Sequence, residues 1–368
     1  MNRLKVHYLF RRPVSQDLKK ADQGKIPHDY FFAYTRLSKK FSVTMTEKVF
    51  SNKIVSIIDQ LIIKATYPIM NIGFSFFSVA YQLPEIRKAD VLFATTDSFG
   101  IPLLLLKQLK IINKPIIINT GGFFDGYKES KSQIYRKMCR KLFGNVSIVV
   151  SGVKNECKLM SRDLHLPKSK LAQINYGVDT SYFKPKFDSE IKQDFILTVG
   201  ADFKRDWKTF KKIAENLPKI KFVIIASPDQ LKIKMPDNVK ILYNLPIGEV
   251  RAYIRKSLLI VILSKQNYRF AGSSTILRAM SCAKTVIFTD SYGVLEQPFV
   301  NNKNAILVPP HNYKKIVSEI KRLIKNKKEI SKIGDNARKY VLKNNNYKHY
   351  TSRLEKVFRN SLLNEKND

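Results

Sequence analysis

Two short segments of the chain combine cations, small residues and helix-starting residues in a way that suits a diphosphate. The first is Gly200-Ala201-Asp202-Phe203-Lys204-Arg205-Asp206-Trp207, directly after the apolar run Phe195 to Val199. A tight turn carrying Lys204 and Arg205 at the carboxyl end of a strand can hold a diphosphate, and the same composition also describes a solvated basic turn. The second is Tyr268-Arg269-Phe270-Ala271-Gly272-Ser273-Ser274-Thr275, which follows the run Leu258 to Leu263 and opens a helical stretch, Ile276 to Cys282. Small residues around Gly272 let an anion approach the backbone. A Ser or Thr among Ser273, Ser274 and Thr275 can cap the helix, whose free N–H groups and dipole favour negative charge.

Other phosphate and metal chemistries lack their residues. No Gly-x-Gly-x-x-Gly follows the first strand and no Gly-Lys-Ser/Thr loop occurs, which disfavours a nicotinamide enzyme and a P-loop NTPase. No two aspartates stand one residue apart, so the simplest carboxylate clamp for a divalent metal on a nucleotide is missing, and no metal site is expected. The five histidines, His7, His28, His165, His311 and His349, are scattered, and each is read as structural or superficial. The three cysteines, Cys139, Cys157 and Cys282, have no paired spacing; a disulfide framework or zinc site is disfavoured and a reducing compartment favoured.

These segments must be positioned by larger elements. A chain of 368 residues predicts two domains, and 44% apolar with 26% charged residues can build a sizeable core, against disorder or a polytopic membrane protein. Apolar runs recur at Val6 to Phe10, Val91 to Thr95, Ile116 to Thr120, Val146 to Val150, Ile196 to Val199, Phe222 to Ala226, Leu258 to Leu263, Val286 to Thr289 and Ala305 to Val308. They are apolar on both faces, as strands of a helix-covered parallel sheet are, and connections of helical length between them make βαβ units. The class is α/β with parallel sheets. A charged, proline-containing break at Phe183 to Glu190 divides two Rossmann-like halves, residues 1–185 and 190–345. Residues 346–368 form a tail helix with apolar Tyr350, Leu354, Val357 and Phe358 at helical spacing.

The charge points to an acidic partner. With 66 Lys and Arg against 30 Asp and Glu, the formal net charge is +36. Lys128, Lys131, Arg136, Lys137, Arg140 and Lys141 are interleaved with Ile134, Met138, Leu142 and Phe143, the pattern of an interfacial helix or of a soluble amphipathic helix packed on its own sheet. Each cation near an anionic leaflet contributes about 1 kcal/mol. The charge-free window between Lys64 and Glu85 contains Pro68, Asn71, Gly73 and Pro84 and reads as a buried or interfacial helix rather than a span. The amino terminus runs straight into a strand without a small-residue cleavage site, so no signal peptide is expected. Nucleic acid is the rival acidic partner, disfavoured because no recognisable binding motif occurs and the cations are spread over both halves.

Read in order, these segments resemble the large retaining glycosyltransferase family of the GT-B fold, family four. Asn175-Tyr176-Gly177-Val178-Asp179-Thr180-Ser181-Tyr182-Phe183-Lys184-Pro185 is similar to that family's N-G-V-D-x-x-x-F-x-P, with Tyr176 extra. Thr198-Val199-Gly200 and Arg205-Asp206-Trp207-Lys208 follow. Then Leu277-Arg278-Ala279-Met280-Ser281-Cys282-Ala283-Lys284-Thr285-Val286-Ile287 resembles L-E-A-M-A-x-G-x-P-V-I, and Gly293-Val294-Leu295-Glu296 and Asn304 to Pro310 complete the series. The resemblance implies two facing Rossmann-like domains, with a C-terminal helix returning to the N-terminal one. It further implies a sugar transferred from a nucleotide-diphosphate sugar, with no metal or other cofactor, to an acceptor held by the N-terminal domain. By the same resemblance Arg205 contacts the donor diphosphate with Gly200 and Lys204 nearby, Gly272, Ser273, Ser274 and Thr275 face the same phosphates, and Glu296 lies near the donor sugar.

The chain also departs from that pattern. The family's two glutamates, with seven residues between them, are replaced by Phe270 and Arg278. A glutamate at the second position accepts hydrogen bonds from both ribose hydroxyls, whereas a guanidinium can only donate. Arg278 is therefore expected either to add a cation near the diphosphate or to be an exposed helix residue. Ala201 stands where the family has its first arginine, and Gly121-Gly122-Phe123-Phe124-Asp125 has no histidine where many relatives place one. No catalytic residue is assigned, and Asp97, Asp125 and the pair His28-Asp29 are candidates for acceptor or sugar contacts. The expected function is a hexosyltransferase of cell-surface polysaccharide or lipopolysaccharide-type assembly, acting on a saccharide or lipid-linked acceptor at the cytoplasmic membrane face. The alternatives are a degenerate copy with little activity, a nucleotide-sugar epimerase and a nucleic-acid-binding protein.

Overall fold

The computed structural model describes residues 3–70, 73–186, 194–294 and 297–367. The chain divides into two compact units. The first comprises Met1–Asp22, His28–Asn175 and Tyr350–Asp368, the second Gln23–Pro27 and Tyr176–His349.

The first unit contains a six-stranded parallel sheet of β1 (Lys5–Leu9), β2 (Ser42–Met45), β3 (Val91–Ala94), β4 (Ile116–Asn119), β5 (Ile148–Ser151) and β6 (Leu171–Gln173), in the order β2-β1-β3-β4-β5-β6. Phe358 of the C-terminal helix, Tyr347–Asn367, is fully buried in this unit, with ring centroids 5.3 Å from Phe93 and 5.9 Å from Tyr8. Leu354 is buried beside it and Glu355 pairs with Lys40 at 2.6 Å, so the apolar spacing of the tail is spent on the core of the first unit.

The second unit repeats the design with β7 (Phe195–Val199), β8 (Lys221–Ala226), β9 (Val239–Tyr243), β10 (Leu259–Ile262), β11 (Val286–Thr289) and β12 (Ile306–Val308), ordered β12-β11-β10-β7-β8-β9. Alternate residues feed two cores. Leu197, Val223, Ile225, Ile260, Ile262 and Phe288 enter one, and Ile196, Phe222, Ile224, Leu259, Val261 and Ile287 the other. Such strands read as continuous apolar runs because both faces are covered.

Three strands were not expected from the sequence, and all are edge strands: β2, β6 and β9. Their residues are only partly covered, so their side chains lack the run of Val, Ile and Phe that marks the inner strands. A second difference concerns the boundary. Tyr176 to Pro185 was expected to close the first domain, yet it belongs to the second unit. Val178 N–H donates to Asn345 O at 2.7 Å and Tyr347 N–H to Val178 O at 3.0 Å, stitching this stretch alongside the end of the helix Lys327–Asn344.

The basic segment folds as two helices, Phe123–Glu129 and Gln133–Phe143. Leu142 and Phe143 pack inward as expected, together with Tyr135 and Cys139, but Ile134 and Met138 point outward. The helix register places Tyr135 and Cys139 on the core stripe instead. The charge-free window is broken into the helices Lys53–Met70, Phe76–Ala80 and Leu83–Lys88. Among the described residues no helix is long and apolar enough to cross a membrane. All three cysteines are free.

Candidate functional site

In the second sheet the chain runs from β7 outward to β8 and β9, then crosses back to β10 on the other side of β7. Loops after β7 and β10 therefore leave neighbouring strand ends in opposite directions, the place where open α/β sheets bind ligands. Both diphosphate candidates are those two loops.

They converge on one side chain. Arg205 is buried, and its Nη2 donates to Val199 O at 2.7 Å. The guanidinium lies against two glycines, one from each loop. A Cβ on Gly200, whose φ is +150°, would stand 2.2 Å from Arg205 Nη2, and one on Gly272, at φ +85°, 2.9 Å from Nη1. No other residue leaves that space open or adopts those backbone angles without strain. Gly272 also opens the helix Ser273–Ser281, whose first amides, including those of Ser274 and Thr275, have no intrahelical acceptor. The two segments thus bring Gly200, Arg205, Gly272, Ser273, Ser274 and Thr275 together at one helix end.

Arg205 has spare donors there. Its Nε and Nη1 are buried without a hydrogen-bond partner. Burial lowers the guanidinium pKa to about 10, with Asp202 opposing and Arg269 adding to the shift. A buried cation with two unused donors beside a helix N-terminus is built to receive an anion.

Neighbours absent from the expected set fix the loops. Arg269 forms a two-pronged pair with Asp202, Nη1 to Oδ2 at 2.9 Å and Nη2 to Oδ1 at 2.8 Å, tying the loop after β10 to the loop after β7. Burial alone would raise the Asp202 carboxyl, but the hydrogen bonds and charge of Arg269 hold it below the usual carboxylate range. Asp202 also accepts from Lys204 N–H at 2.8 Å, and Lys204 Nζ stands 5.6 Å from the Phe203 ring centroid. Asn267 Oδ1 accepts from Ala271 N–H at 3.2 Å, while Asn267 O accepts from Gly293 N–H at 3.0 Å. The signals for these residues were slight: an aspartate two residues before a turn lysine, and an asparagine soon after a strand.

Arg278 is not the exposed helix residue that was one of the two expectations for it. It is buried, its Nη2 donates to Tyr176 Oη at 3.0 Å, and its guanidinium carbon lies 5.1 Å from the Phe183 ring centroid. The exposed-helix expectation is corrected by the residues after β6, whose aromatic side chains cover it. Phe270 joins Phe288 and Phe299, with ring centroids 5.9 and 5.5 Å away, so the other missing glutamate is a core aromatic. Glu296 lies outside the described residues.

In the first unit, buried Asp97 Oδ2 accepts from Gly121 N–H at 2.7 Å and Phe123 N–H at 3.0 Å, holding the turn after β4. Asp125 and Asp29 are buried as well. Among the described residues no cluster of three or more His, Cys, Asp or Glu side chains could hold a metal ion.

Residues 185–364 match the family model described as glycosyl transferases group 1. That stretch of the chain is similar to a glycosyl transferases group 1 domain. An uncharacterized glycosyltransferase of Methanocaldococcus jannaschii is 25% identical over 327 residues, covering 79% of this chain and 80% of that protein. Among solved structures, Anabaena HepE in complex with UDP and glucose superimposes with a TM-score of 0.70 at 13% identity, covering 97% of this chain and 99% of that one. Sucrose-phosphate synthase from Thermosynechococcus elongatus gives 0.70 at 12% identity, covering 97% and 98%. The fold of the chain is therefore GT-B, with two six-stranded parallel sheets. The group 1 match begins just before β7 and takes in both loops that enclose Arg205.

Proposed function

We propose that the protein transfers a sugar from a nucleotide-diphosphate sugar to a saccharide or lipid-linked acceptor in cell-surface polysaccharide or lipopolysaccharide biosynthesis, with retention of configuration and without a metal or other cofactor. The observation that carries this reading is the buried Arg205 guanidinium, seated against Gly200 and Gly272 with Nε and Nη1 unpartnered beside the first turn of the helix Ser273–Ser281.

On transfer, the bond between the anomeric carbon and the β-phosphate oxygen breaks with its electron pair staying on the phosphate, while the acceptor hydroxyl oxygen bonds to the anomeric carbon and gives up its proton to that departing phosphate oxygen. The departing diphosphate gains negative charge that Arg205, Lys204 and the free amides of Ser274 and Thr275 stabilise. Fixed donors at a developing charge lower the barrier because they need not reorganise. The same groups replace the charge neutralisation that a metal ion would supply. Arg278, held by Tyr176 and Phe183, acts through that linker contact rather than by accepting from a ribose. The acceptor is assigned to the first unit.

That unit also supports a peripheral role at the cytoplasmic face of an anionic membrane. Ile54, Ile57 and Leu61 are exposed on one side of the helix Lys53–Met70, and Phe77 and Tyr81 on or beside the helix that packs on it. A panel of nucleoside diphosphates and their sugars tests the donor reading by thermal shift, since a ligand that binds the folded state raises its midpoint. Product analysis with the sugar that binds then separates transfer from epimerisation and from binding without turnover. A panel in which no nucleoside diphosphate shifts the midpoint overturns the reading.

A further inference from the structure

A concentration of cations outside the Arg205 site lies in the first unit. A pocket of about 250 Å³ is lined by Tyr127, Lys128, Arg136, Arg140, Arg162, Asp163 and His165. It is formed by the helices Phe123–Glu129 and Gln133–Phe143 and the end of the helix Lys154–Asp163. One carboxylate faces four Lys and Arg side chains, so positive charge is in excess. That carboxylate is already engaged: Asp163 accepts from Lys128 Nζ at 2.8 Å and from Arg162 Nε at 2.5 Å.

The wall is ordered by contacts of Arg136 and Arg140 with the backbone. Arg136 Nη2 donates to Ser130 O at 2.8 Å and its guanidinium carbon stands 5.8 Å from the Tyr127 ring centroid, while its Nε is buried with no partner. Arg140 Nε donates to Asp163 O at 3.1 Å, and Tyr127 Oη to the same carbonyl at 2.9 Å. Arg136 and Arg140, held by backbone carbonyls and with the Arg136 Nε left over, are arranged for an oxyanion. The volume is below the roughly 300–1,000 Å³ typical of pockets for drug-sized molecules and suits a small headgroup.

We propose that this pocket is a phosphate-binding site, taking a phosphate or diphosphate group on Arg136, Arg140 and Arg162. The same chemistry arises from a free phosphate compound or from the headgroup of a lipid. The site does not depend on sugar transfer, because binding is read without turnover and the second unit contributes no residue to it.

The test uses the full chain. Inorganic phosphate and pyrophosphate are titrated calorimetrically, and retention is measured on phosphatidylcholine vesicles with and without phosphatidic acid. The variants are Arg140→Gln and Arg162→Gln, both at exposed side chains where folding is not at stake, with Lys137→Gln as a cation on the same helix outside the pocket. Each pocket variant is expected to weaken binding of the phosphate ligand about tenfold, the size of one charge-assisted contact, and Lys137→Gln to leave it unchanged. Titration by the free ions that Arg140→Gln and Arg162→Gln weaken, without vesicle retention, identifies a soluble phosphate, and retention confined to phosphatidic acid vesicles and weakened by the same variants identifies a lipid headgroup; either supports the site. The proposal is overturned if neither probe binds, if the pocket variants bind as the parent does, or if Lys137→Gln loses as much as they do, which marks a diffuse charge effect. The thermal shift with nucleoside diphosphates stays intact in these variants, so failure here is distinct from failure of the donor site.

Discussion

Replacing Arg205 by Met separates stability from binding. Burial lowers its proton affinity from a pKa of 12.5 to about 10, and at about 1.4 kcal/mol per tenfold change the charged form costs the unliganded fold about 3 kcal/mol. Against this stands the hydrogen bond to Val199 O, about 1.5–3 kcal/mol for a charged donor. Methionine keeps much of the stem and removes the charge. Arg205→Met is therefore expected to be neutral or stabilising by up to about 1.5 kcal/mol, a rise in Tm of up to about 5 °C for a unit of this size. Binding should move the other way. Losing two charge-assisted contacts weakens a nucleoside diphosphate about 100-fold, so a ligand concentration that stabilises the parent by about 2.7 kcal/mol stabilises the variant by only about 0.4 kcal/mol. Thermal unfolding with and without nucleoside diphosphate reads both quantities in one experiment. A variant whose Tm falls by several degrees, or whose ligand shift equals that of the parent, refutes the view of Arg205 as a strained cation awaiting an anion.

Tyr176→Phe removes the oxygen that accepts from Arg278 and leaves a buried donor unpaired, so urea unfolding should show a loss of about 1–3 kcal/mol. Lys284, whose Nζ donates to Ser257 O at 2.8 Å, has its pKa lowered by burial from 10.5 to about 8. The folded state then bears the cost of its charge fully below pH 8 and sheds it as pH rises from 8 towards 10.5, so this group makes stability increase with pH in that window. Lys284→Met should remove that rise, and the difference between the two stability curves isolates it from cysteines and tyrosines that titrate nearby. Ile54→Glu combined with Ile57→Glu should leave Tm within about 2 °C, since surface substitutions shift stability little, and should reduce sedimentation with anionic vesicles.

Much of the fold was legible because the inner strands are apolar on both faces, which the sequence displays as unbroken runs such as Ile196 to Val199 and Leu258 to Leu263. Edge strands β2, β6 and β9 escaped because half-covered residues tolerate polar side chains, leaving no run to see. The donor loops were legible one at a time, as a cationic turn and a small-residue helix start. What no linear reading contains is that β10 lies beside β7, and only that adjacency places Gly200 and Gly272 against the same guanidinium.

The same reasoning changes the meaning of the departures at 176 and 278. In sequence they are separate: an extra tyrosine in the linker motif, and an arginine in place of a glutamate. In the fold Tyr176 Oη accepts from Arg278 and Phe183 lies beside its guanidinium, so the two differences are halves of one contact. An arginine at this buried position needs an acceptor that a glutamate would not, and the inserted tyrosine provides it. Restoring glutamate by Arg278→Glu would then bury a carboxylate next to the Phe183 ring, with the Tyr176 hydroxyl as its donor. Recovery of the family's residue is thus expected to destabilise this chain unless the linker changes with it.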